Sequence, residues 1–332
     1  METKVKRGFF GSDLKIIAIV AMFIDHFAAA FLQNYYLKQL PPELYSFTPA
    51  EQTAWMQAHI SVAAISVLVG VMRCIGRFGF PIFAFLLVEG FIHTRDAKKY
   101  ALRLGIFALI SELPFNLAFS NVLFYPHYQN VFFTLTISIV ALIFIKYFED
   151  KDLGGCKPLC AVLGIVGMIT TGAFLFRKSL FSAVLNYTNI KALDYVLPLC
   201  VGVILAFIII AATKNKDCNT KNTINMTMFV LAVAIVIAEG LLTDYSGWGV
   251  FTVVIMYLLR KNKTMAFSIG CAALTVMSPI EAFAFLMVPV VNKYNGKRGI
   301  SLKYFFYAFY PVHLGLIYLA AYLMGYAYFL WH

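Results

Sequence analysis

The sequence predicts an all-α, polytopic integral membrane protein with about 11 transmembrane helices, in a range of about 10–12. Hydrophobic residues make up 61% of the 332 positions and charged residues only 13%, whereas a typical soluble domain has about 25% charged residues. The apolar residues form runs that approach or exceed the length of a membrane span. The basic residues fall in short segments between these runs, as they do in the cytoplasmic loops of membrane proteins.

The first predicted span covers residues 14–32 and follows a basic N-terminal segment. This start is similar to a signal peptide, and Ala28-Ala29-Ala30 is similar to a cleavage site. However, Asp25 and His26 interrupt the apolar run just before it. We therefore expect an uncleaved first span with a cytoplasmic N-terminus, followed by a polar external loop over residues 33–57.

Two apolar segments, 60–76 and 78–92, come next, and the basic cluster after them decides how many cross the membrane. The members of this cluster are Arg95, Lys98, Lys99 and Arg103. The positive-inside rule places the cluster in the cytoplasm. The cluster lies there if only 78–92 crosses the membrane, because a crossing by both segments would leave it outside. We therefore predict that 60–76 is a short helix at, or dipping into, the outer face, with a kinked re-entrant segment as the alternative.

The remaining spans follow from the apolar runs and bring the total to about eleven. They are 104–119, 130–147, 158–176, 194–213, 226–242, 248–259, 265–277, 280–291 and 304–324. This topology puts the C-terminus outside and leaves six of the 27 Lys and Arg residues there. These six are Lys38, Arg73, Arg77, Arg177, Lys178 and Lys191. The asymmetry supports the topology.

Charge and cysteine usage exclude two further classes of function. The formal net charge is +11, but the cations are dispersed among membrane loops, so we expect no nucleic-acid partner. The six cysteines are scattered and complete no zinc-like set with histidine. We therefore expect free, buried thiols and no metal site.

Asp25 and His26 are the most informative residues because they lie inside the first span. An aspartate at the centre of a membrane helix costs roughly 2.5–3.5 kcal/mol on insertion scales, so such residues usually face a protein interior or an aqueous cavity. Neutral imidazole in a low-dielectric site is a good general base. Adjacent helix residues do not face each other, so we expect any carboxylate partner of His26 to come from another helix, with Glu112 and Asp244 as candidates. The catalytic candidates are His26, Asp25 and Glu112; the alternatives are a structural His26 and an Asp25 that only pairs with Arg77.

Other polar residues gather in the outer half of the predicted spans. The candidates for an acceptor pocket are Arg77, Asn116, Asn130, Asp244, Tyr245 and His313. Each also has a structural interpretation. Glu112 and Asn116 lie beside a proline and can satisfy the backbone that it leaves open. Asp244 and Tyr245 can form a turn with an interfacial anchor, and His313 can bond a carbonyl loosened by a proline.

Basic residues near the inner ends of the spans can converge on an anionic group. The candidates are Lys15, Arg95, Lys98, Lys99, Arg103, Lys297 and Arg298. Lys15 precedes His26 by eleven positions, which is about 16 Å along a helix, or half a bilayer. Ordinary positive-inside charges are the simpler interpretation of the same residues.

Seven segments, in order along the chain, together resemble the TraX family of integral membrane proteins. They are LKIIAIVAMFIDH, GRFGFPIFAFLLVEGF, KKYALRLGIFALISELPFNLAF, NVFFTL, DYSGWGV, YNGKRG and KYFFYAFYPVHL. The region 149–225 carries no such motif, and we interpret it as a family-variable insertion of two helices in a single domain of residues 1–332.

The TraX family is named for pilin N-acetylation and is similar to the wider superfamily of transmembrane acyltransferases. Members of the acyltransferase-3 group carry a basic residue, ten intervening residues and a histidine in the first span. Lys15 and His26 match this spacing, with Lys where Arg is common. The same group carries a basic cluster after the second span, which the cluster from Arg95 to Arg103 matches in position.

The resemblance implies a membrane-bound acyltransferase, multi-pass in the bacterial cytoplasmic membrane. It would move an acetyl group from cytoplasmic acetyl-CoA, by way of His26, to an amine or hydroxyl at the outer side. The acceptor would be a pilin-like peptide, a glycan or a lipid, and the inner basic loops and helix N-termini would bind the CoA phosphates. Two alternatives use the same residues: a proton-coupled transporter or lipid flippase, and a non-catalytic assembly protein of a conjugation or secretion apparatus.

Overall fold

The computed structural model describes residues 8–39, 46–177, 193–300 and 303–327, and these ranges are almost entirely helical. The α-helices in them are α1 Gly11–His26, α2 Pro49–Ala58, α3 Ile60–Gly76, α4 Gly79–His93, α5 Ala97–Ser120, α6 Val131–Asp150, α7 Pro158–Arg177, α8 Leu193–Thr213, α9 Cys218–Gly240, α10 Ser246–Leu258, α11 Lys263–Met277, α12 Val288–Asn292 and α13 Lys303–Leu323. A π-helix, Phe27–Tyr36, continues α1, and 3₁₀ helices cover Leu37–Gln39 and Pro279–Met287.

The helices have the lengths and composition of a polytopic membrane protein, which confirms the predicted fold class. Within the described ranges, eight helical stretches are long and apolar enough to cross a membrane, namely Gly11–Tyr36, Ile60–His93, Ala97–Ser120, Val131–Asp150, Pro158–Arg177, Tyr195–Thr213, Cys218–Gly240 and Tyr304–Leu323. Three shorter apolar helices, Ser246–Leu258, Lys263–Met277 and Pro279–Asn292, follow the other predicted spans. A turn at residues 77–78 divides the second stretch into α3 and α4, so the placement of α3 at the outer face stays a prediction.

The helices form two compact units, and the first consists of Met1–Phe83, Leu109–Tyr125 and Phe283–His332. Here α1 packs against α3 and α13. The buried face of α1 and its π-helical continuation is rich in small residues: Ala18, Ala21, Ala28 and Ala30 are all nearly inaccessible. Small side chains let membrane helices approach closely, and this brings polar residues of α1 within reach of its neighbours.

The second unit consists of Ala84–Ala108 and Pro126–Ala282. Its tightest packing joins α7 to α9 and α8. A Cβ at Gly167 would lie 2.7 Å from the backbone of Met228, and a Cβ at Gly202 would overlap the backbone of Ile169. Glycine is therefore needed at both positions for these helices to touch. The assignment of 149–225 as an insertion stays a prediction, and residues 178–192 of it lie outside the described ranges.

Backbone hydrogen bonds join loops that the predicted topology places on the same side of the membrane. At the predicted inner side, residues 9–12 bond to residues 293–298 in the first unit, and the Leu153 N–H donates to Asn219 in the second. At the predicted outer side, the Gln129 N–H donates to the Leu242 carbonyl, and the Asp244 N–H to the Gln129 carbonyl. These pairings agree with the assigned sides.

Cys156 and Cys218 form a disulfide, so the expectation of free thiols was wrong for this pair. The two residues are 62 positions apart, and nothing in the sequence marks them as neighbours. They meet because the loop after α6 docks on the first turn of α9. There the Lys157 N–H donates to Asn222, and Asn222 donates back to the Gly155 carbonyl. Cys74, Cys160, Cys200 and Cys271 are free.

Candidate active site

His26 and His313 lie at the centre of the candidate site, in the first unit. His26 Nδ1 is 2.7 Å from His313 Nε2. The two ring planes differ by 6° and the ring centroids are 5.0 Å apart. That separation equals the nitrogen–nitrogen distance plus one ring radius at each end, so the imidazoles lie edge to edge in one plane. This is the geometry of a direct hydrogen bond rather than of stacked rings.

The hydrogen-bond network assigns the proton positions of both neutral rings. His313 Nδ1 lies 2.7 Å from the Phe309 carbonyl oxygen, one turn earlier on α13. A carbonyl only accepts, so His313 Nδ1 carries the proton and His313 Nε2 is an acceptor. His26 Nδ1 must then donate to His313 Nε2, which leaves the lone pair on His26 Nε2. Within the described residues Nε2 makes no hydrogen bond, so it is available as a base.

Aromatic side chains fix the orientation of the histidine pair. The ring of Phe119 meets His26 edge to face at 5.5 Å, and the ring of Tyr310 does so at 5.6 Å. Phe309 stacks on His313 at 4.8 Å. His26 itself is only half-buried. These aromatic side chains therefore fix the plane of the His26 ring and leave part of the imidazole exposed.

The partner of His26 is a histidine from another helix, and neither candidate carboxylate, Glu112 or Asp244, takes this place. His313 is 287 positions away, and periodicity within one helix cannot show that two distant helices meet. Asp244 belongs to the second unit, where Tyr128 and the Tyr245 N–H donate to its carboxylate. Glu112 is half-buried on α5 in the first unit. His313, predicted as an acceptor-pocket residue, instead sets the tautomer of His26.

Asp25 is held by two arginines at the C-terminal end of α3. Arg77 Nη2 donates to both carboxylate oxygens, at 2.7 and 2.8 Å, and Arg73 Nη1 lies 2.7 Å from Oδ1. Asp25 and Arg77 are 9% and 8% exposed. Removing one partner of a buried ion pair typically costs about 3–5 kcal/mol. The structural interpretation of the Asp25–Arg77 pair thus has direct support: the cluster joins α1 to α3.

Gly76 makes this ion cluster possible. A Cβ at Gly76 would overlap the Asp25 carboxylate. Because glycine has no side chain, α3 can approach α1 closely enough for both arginines to reach Asp25. The segment from Arg73 to Arg77 therefore binds the Asp25 carboxylate through both arginines. Arg73 was not among the residues predicted from the sequence. The i, i+4 spacing of the two arginines was the available signal.

The first helix changes from α to π directly after His26, over Phe27–Tyr36. π-helical turns are rare and are frequently found at functional sites. On this segment Asn34 Nδ2 donates to the Phe119 carbonyl at 2.6 Å, and the Tyr35 hydroxyl donates to the Leu117 carbonyl at 2.5 Å. These bonds anchor the C-terminal end of α5 beside His26. Hydropathy carries no signal for this irregularity.

Asn116 lies on the same part of α5, one turn before Phe119, and is 1% exposed. Neither polar atom of its amide has a hydrogen-bond partner among the described residues. Buried polar atoms are nearly always paired, and an unpaired one costs about 1–3 kcal/mol. The amide thus has unused hydrogen-bonding capacity near His26, and it does not satisfy the backbone around the proline, as the structural interpretation required.

Three of the predicted donor-site residues meet at the N-terminus of α1. The N–H groups of Gly11 and Ser12 donate to the carbonyls of Lys297 and Arg298 at 2.8 and 3.0 Å. The Lys15 ammonium lies 5.2 Å from the centre of the Phe306 ring. Lys15, Lys297 and Arg298 thus belong to one end of one unit. Because loop carbonyls already occupy these N–H groups, α1 cannot offer them to a phosphate, and only side-chain charges are left.

The other four predicted donor-site residues, Arg95, Lys98, Lys99 and Arg103, belong to the second unit. The Lys99 N–H donates to the Asp96 carboxylate at 2.9 Å, and Lys99 Nζ lies 3.4 Å from it. This backbone hydrogen bond lowers the pKa of Asp96 below its usual value. Asp96 therefore caps α5 as an anion, so a phosphate would compete with it at this helix N-terminus. Arg103 lies over the Tyr100 ring at 5.8 Å.

Three predicted acceptor-pocket residues have structural roles in the second unit. Asn130 is completely buried; its Oδ1 accepts from the Phe132 N–H and its Nδ2 donates to the Ala108 carbonyl. It caps α6, and it joins α6 to α5. Asp244 and Tyr245 form the turn before α10, where Tyr245 has a positive φ of 61°. This agrees with the turn interpretation of the pair.

Comparisons with known proteins cover nearly the whole chain. A family model described as TraX protein matches residues 11–171 and 179–321. The chain is 24% identical to the probable fimbrial assembly protein FimC, serogroup H1, of Dichelobacter nodosus. That alignment spans 339 residues, 93% of this chain and 94% of the relative. No solved structure matches the chain. Asp25, His26, Arg73, Arg77, Asn116 and His313 all lie within the residues that the family model matches.

Proposed function

The chain belongs to the TraX family, and from this premise we propose that it is a membrane-bound acyltransferase of the bacterial cytoplasmic membrane that uses acetyl-CoA. The observation that carries the proposal is the His26–His313 pair. It presents an unprotonated imidazole nitrogen at the end of α1, with a second ring placed to stabilise the imidazolium after proton uptake. A positioned general base contributes typically about 10²–10⁴-fold to a rate.

The proposed reaction is a direct transfer. His26 Nε2 takes the proton from the acceptor N–H or O–H as that atom attacks the thioester carbonyl carbon. A new C–N or C–O bond forms and the C–S bond breaks. The thiolate of CoA then takes the proton from His26 Nε2 and leaves as the thiol, so the imidazole returns to its neutral form. His313 Nε2 accepts the His26 Nδ1 hydrogen bond throughout and stabilises the transient positive charge.

The donor is proposed to enter from the cytoplasmic side. Lys15, Lys297 and Arg298 lie together near the N-terminus of α1. Of these, Lys15 precedes His26 by eleven helix positions, or about 16 Å. Cationic side chains at that end favour the CoA phosphates, and the pantetheine arm has the length to follow α1 toward His26.

The acceptor is proposed to be an amine or hydroxyl at the outer side. The name of the relative from Dichelobacter nodosus refers to fimbrial assembly, which favours a pilin-like peptide N-terminus as the acceptor. A glycan or lipid hydroxyl undergoes the same reaction at His26. The relative's name also supports a second candidate function, a non-catalytic role in the assembly of a surface fibre. That role requires no CoA binding.

Purified protein in lipid nanodiscs tests the proposal directly. Calorimetry with acetyl-CoA and with CoA should show saturable binding, which reversal of the charges on Lys297 and Arg298 should weaken. Absence of any CoA binding would exclude the acyltransferase and favour the assembly role. A rate of substrate transport that follows a pH gradient, with no CoA binding, would favour a proton-coupled transporter.

A further inference from the structure

Asn116 has a buried amide without a partner in the described part of the chain, and we propose that it binds an amide group of the pantetheine arm of the acyl donor. The inference rests on the proposed function, because it specifies how that donor is held. It also moves Asn116 from the predicted acceptor pocket to the donor site.

The chemistry of the side chain selects its partner. Both Nδ2 and Oδ1 of Asn116 are buried, and neither has a partner among the residues that the structure describes, so the site offers a donor and an acceptor side by side. A secondary amide has one N–H and one C=O and matches this pair. A phosphate offers only acceptors and leaves Oδ1 unpaired. The two amides are the only groups of the pantetheine arm that carry an N–H.

The position of Asn116 fits the amide next to the thioester. The ring of Phe119 contacts His26 at 5.5 Å, and Asn116 is three residues earlier on the same face of α5. Three residues are about 4.5 Å along a helix. Two methylene groups separate the CoA sulfur from its first amide nitrogen, which is a similar distance. In the predicted topology α5 runs outward, so Asn116 lies on the cytoplasmic side of Phe119, where the arm would arrive.

This part of α5 is also held in place. The carbonyls of Leu117 and Phe119 accept hydrogen bonds from Tyr35 and Asn34 of the π-helix that follows His26. The segment from Asn116 to Phe119 is therefore tied to the same helix that carries His26. A fixed distance between the amide and the base is what a thioester needs for its carbonyl to reach His26 Nε2.

The test compares the wild type with Asn116→Leu, which keeps the volume of the side chain and removes its polar atoms. The probes are S-acetyl-N-acetylcysteamine, which has the amide, and S-propyl thioacetate, which lacks it, each as a competitor of acetyl-CoA binding. We expect the wild type to prefer the amide-bearing thioester by about tenfold and Asn116→Leu to lose this preference. Without ligand, Asn116→Leu should unfold at the same temperature as the wild type or a higher one, since no hydrogen bond to another described residue is lost.

The control is Thr171→Val in the second unit, which removes a buried hydroxyl that, like the Asn116 amide, has no partner in the described part of the chain. It should keep the tenfold preference. Asn116→Ala, which also removes both polar atoms, should lose the preference as Asn116→Leu does. If the wild type binds acetyl-CoA and both Asn116 variants still discriminate between the thioesters, the inference is wrong. A wild type that binds no acetyl-CoA contradicts the proposed function instead.

Discussion

At the scale of single residues, the His26–His313 hydrogen bond defines the chemistry of the site. The sequence singled out both histidines but could not pair them, because each was judged on its own helix. Their relation depends on how α1 and α13 pack, and local patterns do not encode that packing. The ion pair of Asp25 with Arg77 was easier to foresee, since a buried carboxylate requires a cation and Arg77 begins the next apolar segment.

The tautomer assignment predicts distinct effects at His313. His313→Ala removes the acceptor for His26 Nδ1–H, so acetyl transfer should fall by a smaller factor than in His26→Ala. In the wild type the rate should rise with pH as His26 loses its proton. In His313→Ala the midpoint of this rise should shift to a different pH. His313→Gln, whose Oε1 can accept the same hydrogen bond, should recover part of the rate.

The matched control is His93→Gln. His93 Nδ1 bonds the Glu89 carbonyl one turn earlier, as His313 bonds Phe309, but at an exposed position. Activity should not change in this variant. ¹⁵N chemical shifts of labelled histidine should report a protonated Nδ1 on both His26 and His313. A His26 ring protonated on Nε2 instead would refute the assignment.

Asp25→Asn should destabilise the protein strongly. The substitution leaves the buried Arg77 and the half-buried Arg73 without their anion, and breaking a buried ion pair typically costs about 3–5 kcal/mol. Thermal unfolding in detergent measures the effect. Asp96→Asn is the control, because Asp96 is a solvent-exposed carboxylate with one lysine partner, and it should unfold with the wild type. Equal unfolding temperatures for the two variants would mean that the Asp25 cluster does not hold α1 to α3.

At the scale of elements, hydropathy predicted where helices lie but not where they are irregular. Each predicted span coincides with helical structure, because a membrane span must be long and apolar. The helix ends agree less well: α5 and α9 begin seven and eight residues before the predicted spans, and α2 lies in the segment predicted as a polar external loop. The π-helix after His26, the disulfide and the capping of α1 by residues 297–298 all depend on contacts between distant segments. The role of Gly76 likewise depends on the contact between α3 and Asp25, which the sequence does not show.

Two glycines of α3 provide a matched test of that contact. Gly76→Ala places a methyl group against the Asp25 carboxylate and should destabilise the protein, because the ion cluster must separate. At Gly70 an added Cβ meets nothing within 4 Å, so Gly70→Ala should stabilise the helix by roughly 0.5–1 kcal/mol. Thermal unfolding of both variants checks the prediction. Equal shifts in the same direction would show that the α1–α3 contact is looser than described.

At the scale of the whole molecule, the charge distribution predicts a cytoplasmic N-terminus and an inner side that includes Cys156 and Cys218. Disulfides are rare in the reducing cytosol. The pairing of Cys156 with Cys218 shows that the two sulfurs can bond, and the predicted cytoplasmic location leads us to expect the reduced pair in intact cells and the disulfide only after exposure to an oxidant. Labelling with a maleimide polymer should modify them only after the cells are permeabilised. Labelling from outside, or protection until a reductant is added, would place this loop in an oxidising compartment and invert the topology.

The central claim is that His26 is the base of an acetyl-CoA-dependent transfer. The most direct measurement follows radiolabelled acetyl groups from acetyl-CoA, incubated with purified protein and a membrane extract that supplies acceptors. The wild type should release CoA and label an acceptor, and His26→Ala should fold normally, bind acetyl-CoA and transfer about 10²–10⁴-fold more slowly. Transfer at the wild-type rate by folded His26→Ala would contradict the account.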